Sequence, residues 1–485
     1  MSRRPATLTV LLALLLAACS PLGPDYARPA IDMPTDWKPA DGAAAIQWQA
    51  AQPADDLPKD DWWTVFGDAQ LDQLEGRSLQ ENPSLQLALA RLDQALAQSG
   101  VHAAALLPTA QLGAVGAQTR SSANRPLANY DIPNSSTIQN DFRPLLSVSY
   151  EFDWLGKIRR DVESARASAE QAGADRENVR LVLTAQVAST YFLLRQFDEE
   201  MAALGESIAS QAKVLDLIGK RYAQGAAGEA DLAQQRALLE SSRAQQALLK
   251  AQRSRQENAL ATLCGMPAAN FHLPPGKLPP SLPSIPLVVP SRLLERRPDI
   301  ASAERAMAAA NAQIGVARAA YFPSLMLSPT YGGYESNRLA NLLAAPSVIW
   351  SFGLAATQTL FDGGRIAAGV DFARAAYAGT VANYRQSVLT AIQESQDAMD
   401  SLRELSVARE RQDEAVGQQS KAYRISLVRY REGLDNALTL AVAQQNQLAA
   451  TRILSQIEGS RFVSAVGLIK ALGGGWHGRK EPAIE

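Results

Sequence analysis

The chain has 485 residues, a formal charge of −2, 47% apolar residues and only 6% aromatics. The near-neutral balance gives no electrostatic footprint for nucleic acid, and the apolar content permits a large folded core. Two cysteines and three scattered histidines supply neither a disulfide framework nor metal-ligand spacing. With no phosphate-loop, dinucleotide, zinc-protease or serine-hydrolase motif either, the expectation is no enzyme, no metal and no cofactor.

Arg3 and Arg4 precede the apolar run Leu8–Ala18, which reads as a signal peptide over residues 1–18. As a helix this run spans only about 16 Å, against a bilayer core of about 30 Å. It ends in Leu16-Ala17-Ala18-Cys19, small residues before a cysteine, as in the lipobox of a bacterial lipoprotein. Cys19 is then the acylated first residue of the mature chain. Each buried CH₂ adds roughly 0.8 kcal/mol, so several acyl chains anchor stably where one does not. Ser20, in place of an inner-membrane retention Asp, points to the outer membrane. Residues 19–66 carry Pro21, Pro24, Pro29, Pro34, Pro39, Pro53 and Pro58 without periodicity, and are expected to run as an extended strap.

The rest is written twice. Pro83, Gly100 and Pro108 recur 215 positions later as Pro298, Gly315 and Pro323, and Gly156 and Gly225 recur 208 positions later as Gly364 and Gly433. The repeats span residues 67–273 and 291–472, joined by a Pro-rich linker at 274–290 and followed by a tail at 473–485. Each begins with a helix, 83–107 or 298–321, started and stopped by proline. Two strand-like segments follow, about 109–119 and 143–153 in the first repeat, about 324–334 and 348–361 in the second. Ser147–Phe152 and Trp350–Leu354 alternate polar and apolar residues, whereas 110–118 alternates poorly. Next comes a helix of about 65 residues, 157–224 or 365–432, roughly 100 Å long. Val388, Ile392, Met399 and Leu402 keep the spacing of coiled-coil packing. A glycine break at Gly225 or Gly433 then precedes a returning helix, 229–263 or 435–472. Cys264, at a helix end, reads as a small buried hydrophobe.

Strands whose outward residues are Val, Tyr, Phe, Trp and Leu suit a lipid face. Four of them cannot stand alone in hydrocarbon, because both sheet edges would leave backbone groups unpaired. Chains must therefore share a barrel: two give eight strands with a filled interior, three give twelve and an open lumen. A small soluble sheet on a helical stalk is the competing reading.

The stretch Pro290–Ile300, with Glu295-Arg296-Arg297-Pro298-Asp299, continues through Ala303-Glu304-Arg305 and Ala309–Ser324. It resembles the signature of TolC-type outer-membrane efflux proteins, in particular their OprM- and CusC-like lipoprotein branch. Trp62-Trp63-x-x-Phe66-Gly67-Asp68 and Lys470–Trp476 resemble it too, so the likeness covers nearly the whole mature chain. The resemblance implies an α+β membrane channel: a homotrimer with a 12-stranded β-barrel, four strands per chain, continued by a 12-helix α-barrel with an equatorial domain. It implies a periplasmic membrane-fusion adaptor and an inner-membrane RND pump as partners, with outer-membrane lipid contacted through Cys19. It implies a passive gated conduit for drugs or other small toxic compounds. The entrance would lie at Arg221-Tyr222-Ala223-Gln224-Gly225 and Arg429-Tyr430-Arg431-Glu432-Gly433, with the arginines and tyrosines at the docking tips. Leu438 matches an apolar constriction, but Val442 and Gln445 stand where OprM-like channels carry acidic and basic groups. Asp435 or Asp231 is then the candidate source of negative charge, each with the alternative of a solvated turn residue. Arg297, Pro298, Asp299, Gly315 and Pro323 form the signature and read as structural. The rivals are the outlet of an ABC-type secretion system and a periplasmic coiled-coil lipoprotein. The scarcity of Met and His at the turns counts against a dedicated copper or silver channel.

Overall fold

The structure, a computed structural model, describes residues 21–29, 37, 61–126, 135–283, 285 and 296–474. The signal peptide, Cys19, most of the strap, Pro290–Glu295 and the tail from residue 475 lie outside the described residues.

Proline and glycine set the element boundaries. A 3₁₀ turn, Trp62–Phe66, precedes α1 (Ala69–Glu81), whose first turn is capped by Asp68 accepting from the amides of Gln70 and Leu71. Helix α2 (Pro83–Ala104) starts on its proline, and the chain leaves it through a tighter turn, Leu106 and Leu107 bonding three residues back, before Pro108. Strands β1 (Thr109–Ser121) and β2 (Thr137–Glu151) follow, then α3 (Lys157–Ala223) and α4 (Glu229–Leu263). The second copy gives α5 (Pro298–Ala319), β3 (Ser324–Leu327), β4 (Thr330–Tyr334), β5 (Val348–Ser351), β6 (Leu354–Thr357), α6 (Arg365–Arg431) and α7 (Ala437–Ala471). The two segments expected as single strands here are each divided. Pro329, which has no amide to donate, interrupts the first, and Phe352-Gly353 interrupts the second. The final helix starts at Ala437 rather than 435, because Asn436 caps it by accepting from the Thr439 amide at 2.8 Å. Among the described residues no helix is long and apolar enough to cross a membrane.

The chain forms two compact units, one of residues 1–29, 93–171 and 304–383, the other of residues 30–92, 172–303 and 384–485. The first unit holds an antiparallel sheet. Strand β2 pairs with β1 along one edge and with β3 and β4 along the other; β6 then pairs with β3 and β5 with β4. The register sorts the faces. Ala110, Leu112, Ala114 and Gly116 stand opposite Val148, Leu146, Pro144 and Phe142, while Gln111, Ala117 and Thr119 stand opposite Ser147, Asp141 and Gln139. Between Ala110 and Gly116 one face is thus apolar, giving way to Gln118, Asn140 and Arg120 further along, and the other is mainly polar apart from Val115 and Leu145, although β1 alone hardly alternates. The apolar face is uncovered in the single chain: Leu112 is 81% exposed.

In the second unit, Trp62, Trp63, Phe66, Tyr191, Phe192 and Phe462 are buried with Leu71, Leu194, Leu260 and Val466. Phe192 lies 4.8 Å from Phe66 and 4.9 Å from Phe462, centroid to centroid, and such pairs add about 0.5–1.5 kcal/mol each to area burial. Duplication shows in the contacts. The Asn82 side-chain amide donates to the carbonyl of Leu263 at the end of α4, and Arg297, its counterpart, donates to the carbonyl of Ala471 at the end of α7. Beside each bond a left-handed glycine, Gly265 or Gly473, comes so near the backbone of Glu81 or Arg296 that a Cβ would fall 2.4 or 2.7 Å from its carbonyl oxygen.

Glu75 on α1 is fully buried, and neither carboxyl oxygen has a hydrogen-bond partner. Burial, with Asp61 and Asp72 nearby, pushes its carboxyl well above the usual carboxylate range. A raised folded-state value means the fold favours the protonated acid. Its contribution is full below the ordinary value near 4.5 and is lost as pH rises toward the folded value. Glu75→Gln is expected to stabilise the protein by about 1–3 kcal/mol at pH 8 and by little at pH 4. Thermal unfolding midpoints of both proteins across that range provide the check.

Candidate functional site

The helical hairpin ends combine glycine, arginine and tyrosine in one small region of the second unit. At the end of α3, Gly225 takes φ +72°, its amide donates to the Tyr222 carbonyl, and the Ala226 amide donates to the Arg221 carbonyl. At the end of α6, Gly433 takes φ +74°, its amide donates to the Tyr430 carbonyl, and the Leu434 amide donates to the Arg429 carbonyl. Both are Schellman turns, which use left-handed glycine to satisfy the last helical carbonyls.

The duplicated side chains do different work. Arg221 crosses to the other hairpin: its guanidinium lies 4.7 Å from the centroid of the Tyr430 ring and donates to the Arg431 carbonyl at 2.7 Å. Arg429 stays in its own hairpin, 3.4 Å from the Asp435 carboxylate and donating to the Leu434 carbonyl. Tyr430 is 4% exposed and packs with Val214, Ile218, Ala437 and Leu440, whereas Tyr222 is 43% exposed. Of the two tyrosines expected to serve adaptor docking or tip contacts, Tyr430 thus makes its contacts between the two hairpins, and Tyr222 stands exposed.

The acidic candidates are engaged in turns. The Asp231 carboxylate accepts from the Gly228 amide at 3.2 Å, at the start of α4. The Asp435 carboxylate accepts from the Asn436 amide at 2.9 Å; that bond, with Thr439 and Arg429, holds its pKa below the usual carboxylate value. Among the residues the second hairpin leaves exposed are Leu434 in the turn and Leu438 and Val442, four residues apart on one side of α7, together with polar Arg431, Glu432 and Asn436. Gln445 is exposed beside them.

Above this end of the unit lies a polar layer that periodicity did not single out. Gln211, Gln235 and Gln444 are buried together, Gln235 donating to the Gln211 carbonyl and to the Gln444 side chain at 3.3 Å each. One apolar cluster contains Ile218, Tyr430 and Leu440, another Leu204, Leu249 and Leu448, so the layer interrupts the apolar packing along α3, α4 and α7. Oε1 of Gln211 and Gln235 and Nε2 of Gln444 have no partner, a cost of about 1–3 kcal/mol for each such group. Glutamine at a helix position reads as solvent-facing in sequence, so its burial here is visible only in the packing.

The signature residues divide between the two units. In the second unit, buried Arg297 binds Asp299, Glu394 and the Ala471 carbonyl, and Pro298 opens α5. In the first unit, the Pro323 carbonyl accepts from the Trp154 indole at 3.1 Å, and Gly315 lies against Leu22. Cys264 is fully buried, and burial pushes its thiol up to about 11. Cys19 lies outside the described residues.

A family profile described as outer membrane efflux protein matches residues 74–266 and 289–474. The chain is 33% identical over 473 residues, 96% of each chain, to the pyoverdine export outer membrane protein OpmQ of Pseudomonas putida. It is 33% identical over 492 residues, 98% of this chain and 97% of the other, to outer membrane protein OprJ of Pseudomonas aeruginosa. Among solved structures, the outer-membrane channel OprN superposes with a TM-score of 0.85 at 28% identity, over 94% of this chain and 99% of that one.

Arg221→Ala removes a cation–π contact and a charge-assisted hydrogen bond at one stroke. Amide hydrogen exchange at Gly433 and Leu434 is expected to quicken by about tenfold or more. Arg429→Ala should leave the exchange of Gly225 and Ala226 unchanged, because its contacts are confined to its own hairpin.

Proposed function

This chain belongs to the outer membrane efflux protein family, and from that premise we propose that it is the outer-membrane channel of a tripartite RND-type efflux pump. It acts as a passive gated conduit for small toxic compounds, with energy supplied by an inner-membrane pump and docking by a periplasmic adaptor. The observation that carries this reading is the sheet. One face is apolar and open, and its outer edges, on β1 and on β5 with β6, have no strand partner among the described residues. Water disfavours the open apolar face, and hydrocarbon, which suits that face, tolerates no unpaired edge in a single chain. Three copies resolve both: four ribbons from each close a twelve-stranded barrel with a lumen, and α3, α4, α6 and α7 from each supply twelve helical stretches around one axis.

Within that assembly Cys19 is the acylated anchor, and the hairpin ends are the periplasmic tips. Tyr222 and Arg429 are the residues offered to an adaptor, with Arg221 and Tyr430 holding the two hairpins together behind them. Leu434, Leu438 and Val442 line the aperture, and Asp231 and Asp435 serve the turns rather than a charged ring. Pores narrowed by apolar side chains close by dewetting, which needs no fixed charge.

Deleting the gene in a host with no redundant channel is expected to raise the intracellular accumulation of several unrelated dyes and antibiotics. Complementation with the intact gene should restore export, and unchanged accumulation across a broad panel would contradict the proposal.

A further inference from the structure

The buried glutamines belong to a polar belt that passes through α3, α4, α6 and α7 within the second unit. Ser210 on α3 and Tyr423 on α6 share a hydrogen bond of 2.6 Å. Gln447 on α7 donates to the Ser420 hydroxyl on α6 at 3.3 Å. Gln235 on α4 closes the circuit through its bonds to Gln444 on α7 and to the Gln211 carbonyl on α3. All these residues stand between ten and fifteen positions from Gly225 or Gly433. The belt therefore crosses the helices at one level, about 15–22 Å from the turns. The stretches on either side of it are fastened differently. Toward the turns, Val214, Ile218, Tyr430, Ala437 and Leu440 form one apolar cluster, so the hairpin ends hold together as a block. Away from the turns, charge binds the helices. The Glu200 carboxylate on α3, 1% exposed, accepts from Arg452 and Gln456 on α7, and Arg409 on α6 donates to Glu458 on α7 at 2.7 Å. The bonds of the belt join neutral groups, which exchange protein partners for water at little net cost. Three of its buried amide atoms, Oε1 of Gln211 and Gln235 and Nε2 of Gln444, have no partner at all.

We propose that the belt is a weak joint, at which the block of hairpin ends loosens from the helices behind it. In the packed arrangement the three unpartnered atoms are shut away from water. Parting the helices at this level hydrates them, and water also takes over the bonds that break. A layer of leucines would oppose the same movement, because it would expose apolar surface. The polar layer thus lowers the cost of separating the helices at one place along their length. Leu434, Leu438 and Val442 ride on the block, while the bonds of Glu200 and Glu458 hold the helices behind it. The joint itself stands on packing; its link to gating rests on the reading of the chain as a conduit.

The test compares amide hydrogen exchange of the full-length protein in detergent with that of the double variant Gln235→Met/Gln444→Met, peptide by peptide. Methionine is close to glutamine in length, favours helix and leaves no amide group unpartnered. Exchange over residues 214–234 and 424–443 is expected to slow by at least about tenfold in the variant, with residues 197–207 and 449–459 unchanged. If the belt served only to hold the helices together, removing its bonds would quicken exchange in the same peptides. Faster or equal exchange therefore overturns the proposal. Gln444→Met alone should slow exchange by about threefold, and it decides the matter if the double variant fails to fold. Conductance in planar bilayers separates the joint from the conduit. Slower exchange with fewer openings supports both; slower exchange with unchanged conductance supports the joint and contradicts its part in gating.

Discussion

Backbone amides and carbonyls at the edge of a sheet must find partners, and in hydrocarbon water cannot supply them. This constraint governs the first unit. Its sheet has an apolar face with nothing over it and two outer edges without strand partners among the described residues. A soluble protein would cover such a face with a helix or break it with charge. Here Arg143, on the opposite face, pairs with Asp141 and Glu335, and Arg120 stands only at the far end of the strands, beyond the apolar stretch. In the proposed assembly, a closed barrel made by several copies would satisfy the edges and give that polar face a lumen.

Duplication explains how one chain supplies enough ribbons and helices for that purpose, and divergence between the copies explains how the ends acquire different tasks. The bond from Asn82 to the end of α4 is repeated by Arg297 at the end of α7, with a left-handed glycine beside each. Arginine reaches further than asparagine, so the second copy also engages Glu394 and Asp299. At the hairpin ends the backbone turns are alike, yet Arg221 bridges two hairpins while Arg429 serves one. The first copy leaves a short, small-residue loop there; the second leaves Leu434, Leu438 and Val442 exposed.

Much of this was legible in the sequence because it depends on local rules. Pro83 and Pro298 mark helix starts, Gly225 and Gly433 mark helix ends, and the equal spacing between repeats fixes which elements correspond. Less legible were features decided by packing. Strand β1 alternates poorly by itself, and its two faces become clear only opposite Phe142, Leu146 and Val148. Tyr430 looks like an exposed tip residue by analogy with Tyr222, but Arg221 and the apolar residues around it bury it. Gln211, Gln235 and Gln444 carry no sequence signal of burial, because glutamine suits the surface of any helix. Glu304 and Asn311 belong to a recognisable signature, yet their contact with residues 24–28 joins positions nearly three hundred apart, which no local pattern encodes.

The central claim is that several copies must complete one membrane-spanning barrel, and it is tested most directly by the protein's state once the lipid anchor is gone. A Cys19→Ala protein, exported with a conventional signal peptide, is predicted to remain in the outer-membrane fraction and to run in detergent as a particle of three chains by native mass spectrometry. A monodisperse single chain, stable in plain buffer without detergent, would contradict the account.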